Sequence, residues 1–344
     1  MSKEIIIEKE KMGIAAWLKA IAKEDYKALK AAGHMEIGED SQGGFLTPEK
    51  YLDDIYGYKT EQSIARPRSM IVNMTSDSQK GPKTVETDRS SGVMFGGISY
   101  HWAKEKEDLE VLKSKPSLGQ LELVSKKLTA TFWATNELID DSLSFTKFIK
   151  NTFGKGLGFI QDDAYINASG VGEILGILNA NALIPVPRQV ANQVCMTDLA
   201  RMARRFTAES WQSKSSCWIM NQDVASELFE LNAAGANPAA TFVLNNRELF
   251  GLPIFVSSTC PALGVLGDVI LADWSYYCIA DRELRIASSQ HQDVSGVGWA
   301  SDDTLFRVIY RGDGQPLVDA PIIPRRGTAA RTVSPFIALT TISS

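Results

Sequence analysis

The apolar positions of this chain change period several times, and each change predicts a different element. Residues 11–32 place Ile14, Trp17, Leu18, Ile21 and Leu29 near one helical face and turn Lys19, Lys23, Lys27 and Lys30 away, which predicts a short amphipathic helix ending at Gly33. A polar stretch from Gly38 to Gly44 sets that helix apart from the main body of the chain, so its apolar stripe needs a partner surface. A β-rich run, Met70-Ile71-Val72-Asn73-Met74, predicts a strand. Residues 75–118 then lose any long apolar period: seven acidic and seven basic side chains alternate with turn signals at Gly81-Pro82, Ser91-Gly92 and Gly96-Gly97. The same stretch holds Met94, Phe95, Ile98, Tyr100 and Trp102, apolar surface that a loop cannot easily bury by itself.

From Leu121 to Trp133 the pattern partly alternates, as one long strand or two linked ones. From Ser144 to Ile166 the period becomes helical, with Phe145, Phe148, Ile149, Phe153, Leu157, Ile160 and Ala164 forming the stripe of the longest predicted helix. Gly154, Gly156 and Gly158 weaken that helix and suggest that another backbone approaches closely there. Residues 195–290 read as a separate α+β unit: a helix from Thr197-Asp198, a strand at Cys217–Met220 and a helix from Asp223 to Leu231. Further strands are expected at Pro253–Ser257, Asp268–Ala272 and Tyr276–Ala280. Thr304–Arg311 and Pro316–Val318 read as a hairpin turning at Gly312-Asp313-Gly314.

Composition narrows the function classes. With 344 residues, 44% hydrophobic and 22% charged, the chain can bury one or two sizeable cores. A formal net charge of −5 argues against a protein that coats nucleic acid through overall positive charge. No apolar run is long enough for a membrane helix, and Lys19 and Lys23 interrupt the only stretch that could pass for a secretory signal, so no membrane partner is expected. Cys195, Cys217, Cys260 and Cys278 have no metal-ligand spacing and read as reduced, buried thiols; no metal and no cofactor is expected.

Other chemical motifs reduce to structure. Gly170-Val171-Gly172-Glu173 comes after a helix and lacks the Lys-Ser or Lys-Thr of a phosphate cradle. Asp140-Asp141, Asp162-Asp163 and Asp302-Asp303 are sequence neighbours that point apart, which suits capping or solvation better than acid–base catalysis. Arg311-Gly312-Asp313 reads as turn chemistry. His34, His101 and His291 lie in expected loops, and most of the seven tryptophans read as core. No catalytic residue is expected.

The order of segments resembles the major capsid protein family of tailed double-stranded-DNA bacteriophages, the Hong Kong 97-like fold, also used by encapsulin shells. The resemblance rests on Gly43-Gly44-Phe45-Leu46-Thr47-Pro48, Lys126-Lys127-Leu128, Asn136–Ser142, Gln161–Asn167, Gly176-Ile177-Leu178, Trp218–Asn221, Leu249–Ile254 and Gly267–Asp273, and runs from about Gly43 to Val318. It implies an α+β fold: an N-terminal arm (1–42), a peripheral domain (43–74 and 119–194, with a spine helix at 144–166), an extended β-hairpin loop (75–118) and an axial domain (195–290). Residues 291–344 would complete the peripheral domain and form a C-terminal tail. The resemblance also implies a function: self-assembly into hexamers and pentamers of an icosahedral shell, in the virion, built in the host cytoplasm. Portal and scaffolding proteins, a decoration protein and weakly held packaged double-stranded DNA are the implied partners. Trp17, Leu18, Ile21, Phe95, Tyr100, Trp102 and Lys104 are the expected subunit contacts. Some relatives weld subunits through a loop lysine and an asparagine, yet no asparagine comes after Asn246 here, and Asp313 or Asp319 would have to serve. Non-covalent contact is therefore expected. The rivals are an encapsulin-type compartment and, from another class, a soluble α+β enzyme.

Overall fold

The computed structural model describes residues 63–85, 87–90, 93, 94, 96, 98, 99, 102, 118–135, 142–233, 248–289, 303–326 and 331–342. The chain divides into two compact units, one containing Lys127–Phe159 and Arg282–Arg311, the other Ser63–Lys126, Ile160–Asp281 and Gly312–Ser344.

In the second unit a six-stranded mixed sheet forms the centre. Its strands are β7 (Ile184–Pro187), β8 (Ser216–Met220), β9 (Glu248–Leu249), β10 (Leu252–Val256), β11 (Val269–Asp273) and β14 (Phe336–Thr340), in the order β7-β14-β11-β8-β10-β9. Its central strands are buried on both faces, which is why they read as unbroken apolar runs instead of alternating ones. Successive side chains serve two cores. Trp218, Met220, Val269, Leu271, Ile337 and Leu339 join one core with Leu199 and Met202 of helix α2 (Met196–Arg205) and Val224 and Leu228 of helix α3 (Gln222–Ala233). Cys217, Ile219, Ile270, Ala272, Phe336 and Ala338 face the other way, onto Tyr165, Ile166, Ile177, Trp274 and Tyr277. Tyr165 and Ile166 belong to the long helix α1 (Ser142–Asn167), which spans the predicted 144–166.

Three buried carboxylates fasten segments far apart in sequence. Asp162 accepts hydrogen bonds from the Ser63 hydroxyl and the Ile64 and Ala65 amides. Asp281 pairs with both terminal nitrogens of Arg66 and stands opposite Asn73 in the parallel pairing of β1 (Met70–Asn73) with the start of β12 (Tyr277–Ser289). Asp268 accepts from Arg188 Nη2 at 2.5 Å, while Arg188 Nε donates to the Thr340 carbonyl at 3.1 Å, so one buried guanidinium ties the ends of β7, β14 and β11. Among paired carboxylates of the sequence, Asp162-Asp163 is thus structural: Asp163 accepts from the Asn167 side-chain Nδ2.

β13 (Asp303–Pro316) lies between β12 and β6 (Lys126–Thr135), and the first unit holds its Asp303–Arg311 part. Phe132 stacks on Phe306 with ring centres 4.9 Å apart, and Glu283 bridges Arg285 and Arg311, both at 3.3 Å.

Several expectations need correction. Residues 304–318 form no hairpin: Gly312-Asp313-Gly314 lies inside the continuous strand β13. A side chain at Gly314 would meet the Tyr277 hydroxyl at 2.7 Å, so this glycine serves close packing and not a turn. The expected C-terminal tail contains β14, a central strand. Of the glycines expected to meet another backbone, Gly156 has open space among the described residues where a side chain would sit, while Gly158 is buried. Trp218 and Trp274 are fully buried as expected, but Trp133 is half-exposed.

Candidate assembly interface

The stretch expected to be an extended loop starts and ends in an antiparallel ladder, β2 (Ser78–Thr84) against β5 (Leu118–Val124), paired throughout from Ser78↔Val124 to Thr84↔Leu118. Two linked strands, β5 and β6, broken at Ser125, resolve the Leu121–Trp133 ambiguity. Period-2 alternation gives the ladder two unlike faces. Leu121 and Leu123 turn inward to a small core with Met74, Cys278 and Ala280. The other face is solvated and carries an ion pair between Lys80 and Glu122 at 3.3 Å.

Both ends of the ladder are anchored. The Met74 amide donates to the Asp281 carbonyl at 2.7 Å and the Ser125 amide to the Asp77 carbonyl at 2.8 Å. Asp313 is almost fully buried and accepts from the Val124 amide, Lys126 Nζ and the Gly314 amide, each at 2.8 Å. Further out, Lys83 reaches Asp319 at 2.5 Å, and residues 87–89 pair with Ile323. Arg89 donates to Glu209 at 2.8 Å, and Tyr276 donates to the same carboxylate at 2.9 Å. Burial works to raise the Glu209 pKa, but the hydrogen bonds from Arg89 and Tyr276 and the Arg89 charge outweigh it and hold the group below the usual carboxylate range. These contacts surround a cleft of about 420 Å³ lined by Met70, Val72, Leu121, Tyr276 and Leu317 among others.

Beyond this rigid root comes a minimal hairpin, β3 (Val93–Met94) with β4 (Ile98–Ser99), whose three-residue turn holds Gly96 at φ +85°. Leu118 and Trp102 are 64% and 103% exposed, so the arrangement presents large apolar side chains to solvent from a fixed base. Of the expected contact residues, only Trp102 is described; Trp17, Leu18, Ile21, Phe95, Tyr100 and Lys104 lie outside the described residues, as do His34, His101 and His291. Nothing in the sequence marks the Asp313 anchor, because Gly-Asp-Gly spells a turn as readily as a buried acceptor.

Among the described residues, the four thiols and the acids singled out in the sequence are suppressed or already engaged. Burial pushes the Cys217 and Cys260 thiols up to about 12 and Cys278 to about 11, and also raises Cys195. No group of three or more metal-ligating side chains occurs among the described residues. Gly170-Val171-Gly172 forms an exposed turn that carries a carboxylate of its own: Glu173 accepts from the Ser169 amide and hydroxyl, and those bonds lower its pKa. Asp313 and Asp319, the two acids that could stand in for a covalent partner, already hold Lys126 and Lys83.

The ladder thus carries exposed apolar side chains, Leu118 and Trp102, at the outer end of an anchored base on an α+β body. The chain belongs to the phage capsid family, whose model matches residues 43–326. Among solved structures it is similar to the capsid of the native GTA particle, with a TM-score of 0.59 and 17% identity over 92% of this chain and 98% of that one. It is also similar to a chain from Mycobacterium phage Adephagia, with a TM-score of 0.56 and 16% identity over 82% and 91%. The virus-like particle from Pyrococcus furiosus shares the fold at a TM-score of 0.51 and 11% identity over 85% and 98%. No curated protein sequence matches the chain. As a major capsid protein, it is a structural component of an icosahedral shell and belongs to the virion.

Proposed function

We propose that this protein works entirely by closed, symmetric self-association, as hexameric and pentameric capsomers that complete a shell around double-stranded DNA. The β2–β5 ladder carries the 75–118 loop onto a neighbouring subunit, where Trp102, with Phe95, Tyr100 and Lys104, is buried. The 1–42 arm docks its Trp17, Leu18 and Ile21 face on another part of the shell. Residues 144–166 act as the spine of the peripheral domain, and 195–290 form the axial domain. Each apolar side chain covered adds roughly 25 cal/mol per Å² removed from water, and many modest identical contacts sum to a durable container. The protein performs no catalytic step and needs no cofactor. It assembles in the host cytoplasm with portal and scaffolding proteins, accepts a decoration protein on its outside, and touches packaged DNA weakly because its net charge is acidic. Subunits are held without covalent links.

The observation that carries this reading is the fully exposed Trp102 beyond a root held by Asp313, Lys83 and Arg89. Deleting residues 85–108 tests it. The expected product is a soluble, folded subunit that forms no shells in negative-stain micrographs, and particles of normal size from the deletion would refute the loop's role.

A further inference from the structure

Helix α2 gathers positive charge on one face. Arg201, Arg204 and Arg205 have the i, i+3, i+4 spacing that brings side chains together, and Arg331 joins them from the C-terminal part of the chain. With Pro185, Val186 and Pro187 of β7 they line a cleft of about 310 Å³ whose wall has no acidic side chain among the described residues. The nearest carboxylate contact is Asp198, 3.7 Å from Arg201, and it is fully buried and already accepts from the Gln189 and Cys195 amides. Arg204 and Arg331 are exposed and make no hydrogen bond or ion pair among the described residues. The Arg205 guanidinium is held in place by donating to the Thr332 carbonyl at 3.0 Å.

Helix polarity accounts for part of this and not the rest. Cations in the last turn of a helix offset its negative end, which explains Arg204 and Arg205. It explains neither Arg201, a turn earlier, nor Arg331, which lies on another segment. Arg204 and Arg331 bring two exposed guanidinium charges to the same cleft, and a bound anion would offset their mutual repulsion. The β7 wall is distinctive too. The Arg188 amide points to β14, donating to the Thr340 carbonyl, so Pro185 and Pro187 occupy the alternate positions whose amides would face the free edge. That wall offers no backbone donor, leaving the guanidinium groups to do the binding.

We propose that this cleft is a binding site for phosphate-type anions, held by Arg201, Arg204, Arg205 and Arg331. Guanidinium forks match phosphate oxygens in pairs, and a terminal phosphate concentrates up to about two charges on one centre, which suits four cations around a small volume better than single carboxylates do. The phosphates come either from a nucleic-acid backbone or from free nucleotides and polyphosphate.

Calorimetric titration of the purified full chain with inorganic tripolyphosphate tests the site. Wild type should bind, and Arg204→Gln combined with Arg331→Gln should bind at least about tenfold more weakly, the worth of one charge-assisted hydrogen bond. Arg331→Gln alone gives a second reading, because it lies outside α2 and cannot act through helix stability. Displacement of tripolyphosphate by a short oligothymidylate assigns the site to backbone phosphate, and failure to displace assigns it to free phosphate compounds. Equal binding by wild type and variants, or no binding of tripolyphosphate, overturns the proposal. So does binding of poly-glutamate in its place, which would make the cleft a site for an acidic protein.

Discussion

Asp268 has no exposed surface and faces Arg188, whose side chain is also buried, at the point where three strands of the central sheet end. Removing one member of such a pair leaves an unpaired charge in a dry interior, which costs about 3–5 kcal/mol. Asp268→Ala should therefore lower stability by that amount in urea unfolding followed through the buried Trp218 and Trp274, and a loss under about 1 kcal/mol would mean that water reaches Arg188. The pairing is not legible in the sequence, where Asp268 only opens an expected strand and its partner Arg188 stands 80 positions away. Gly312-Asp313-Gly314 is opaque for the same reason. Flexibility and polarity are what a turn needs, but here they supply a buried acceptor and a gap for Tyr277.

At the scale of elements, apolar pattern is a good guide wherever burial alone decides. The run Cys217–Met220 lies within β8, and the period from Ser144 to Ile166 falls within α1. Pattern fails where charges are satisfied by distant partners. Tyr276–Ala280 reads as a short strand because Asp281, Arg282 and Glu283 come next, yet β12 continues to Ser289, with Asp281 on Arg66 and Glu283 between Arg285 and Arg311. The candidate interface is legible in outline, as a polar stretch with stranded aromatics, but its anchors join residues more than a hundred positions apart, beyond any local pattern. One of these anchors is sensitive to pH. Glu209 titrates below its ordinary value of 4.5 in the folded chain, so its stabilisation is complete above that value and fades as pH falls through the lower native one. Glu209→Gln should melt at a lower temperature than wild type at neutral pH, by an amount worth at most about 1 kcal/mol for so exposed a pair. The two melting curves should converge on acidification, and a constant difference across the acid range would show that the carboxylate's charge is not what matters.

The whole second unit depends on a strand supplied late in the chain. β14 sits between β7, to which it runs parallel, and β11, to which it runs antiparallel, and all four of Phe336, Ile337, Ala338 and Leu339 are fully buried. A chain ending at Pro335 would leave β7 with no neighbour and β11 with an open apolar edge. It should be recovered as insoluble aggregate, and a monodisperse soluble product would show that the sheet can close without β14. This strand comes after every other strand of its sheet in the order of synthesis, and β12 and β13 are made between it and β11. While the ribosome is still adding residues 277 to 335, β7 waits apart from the strands it will join. A nascent subunit therefore lacks its finished sheet until the sixth strand clears the exit tunnel, and no contact that needs the completed sheet can form before then.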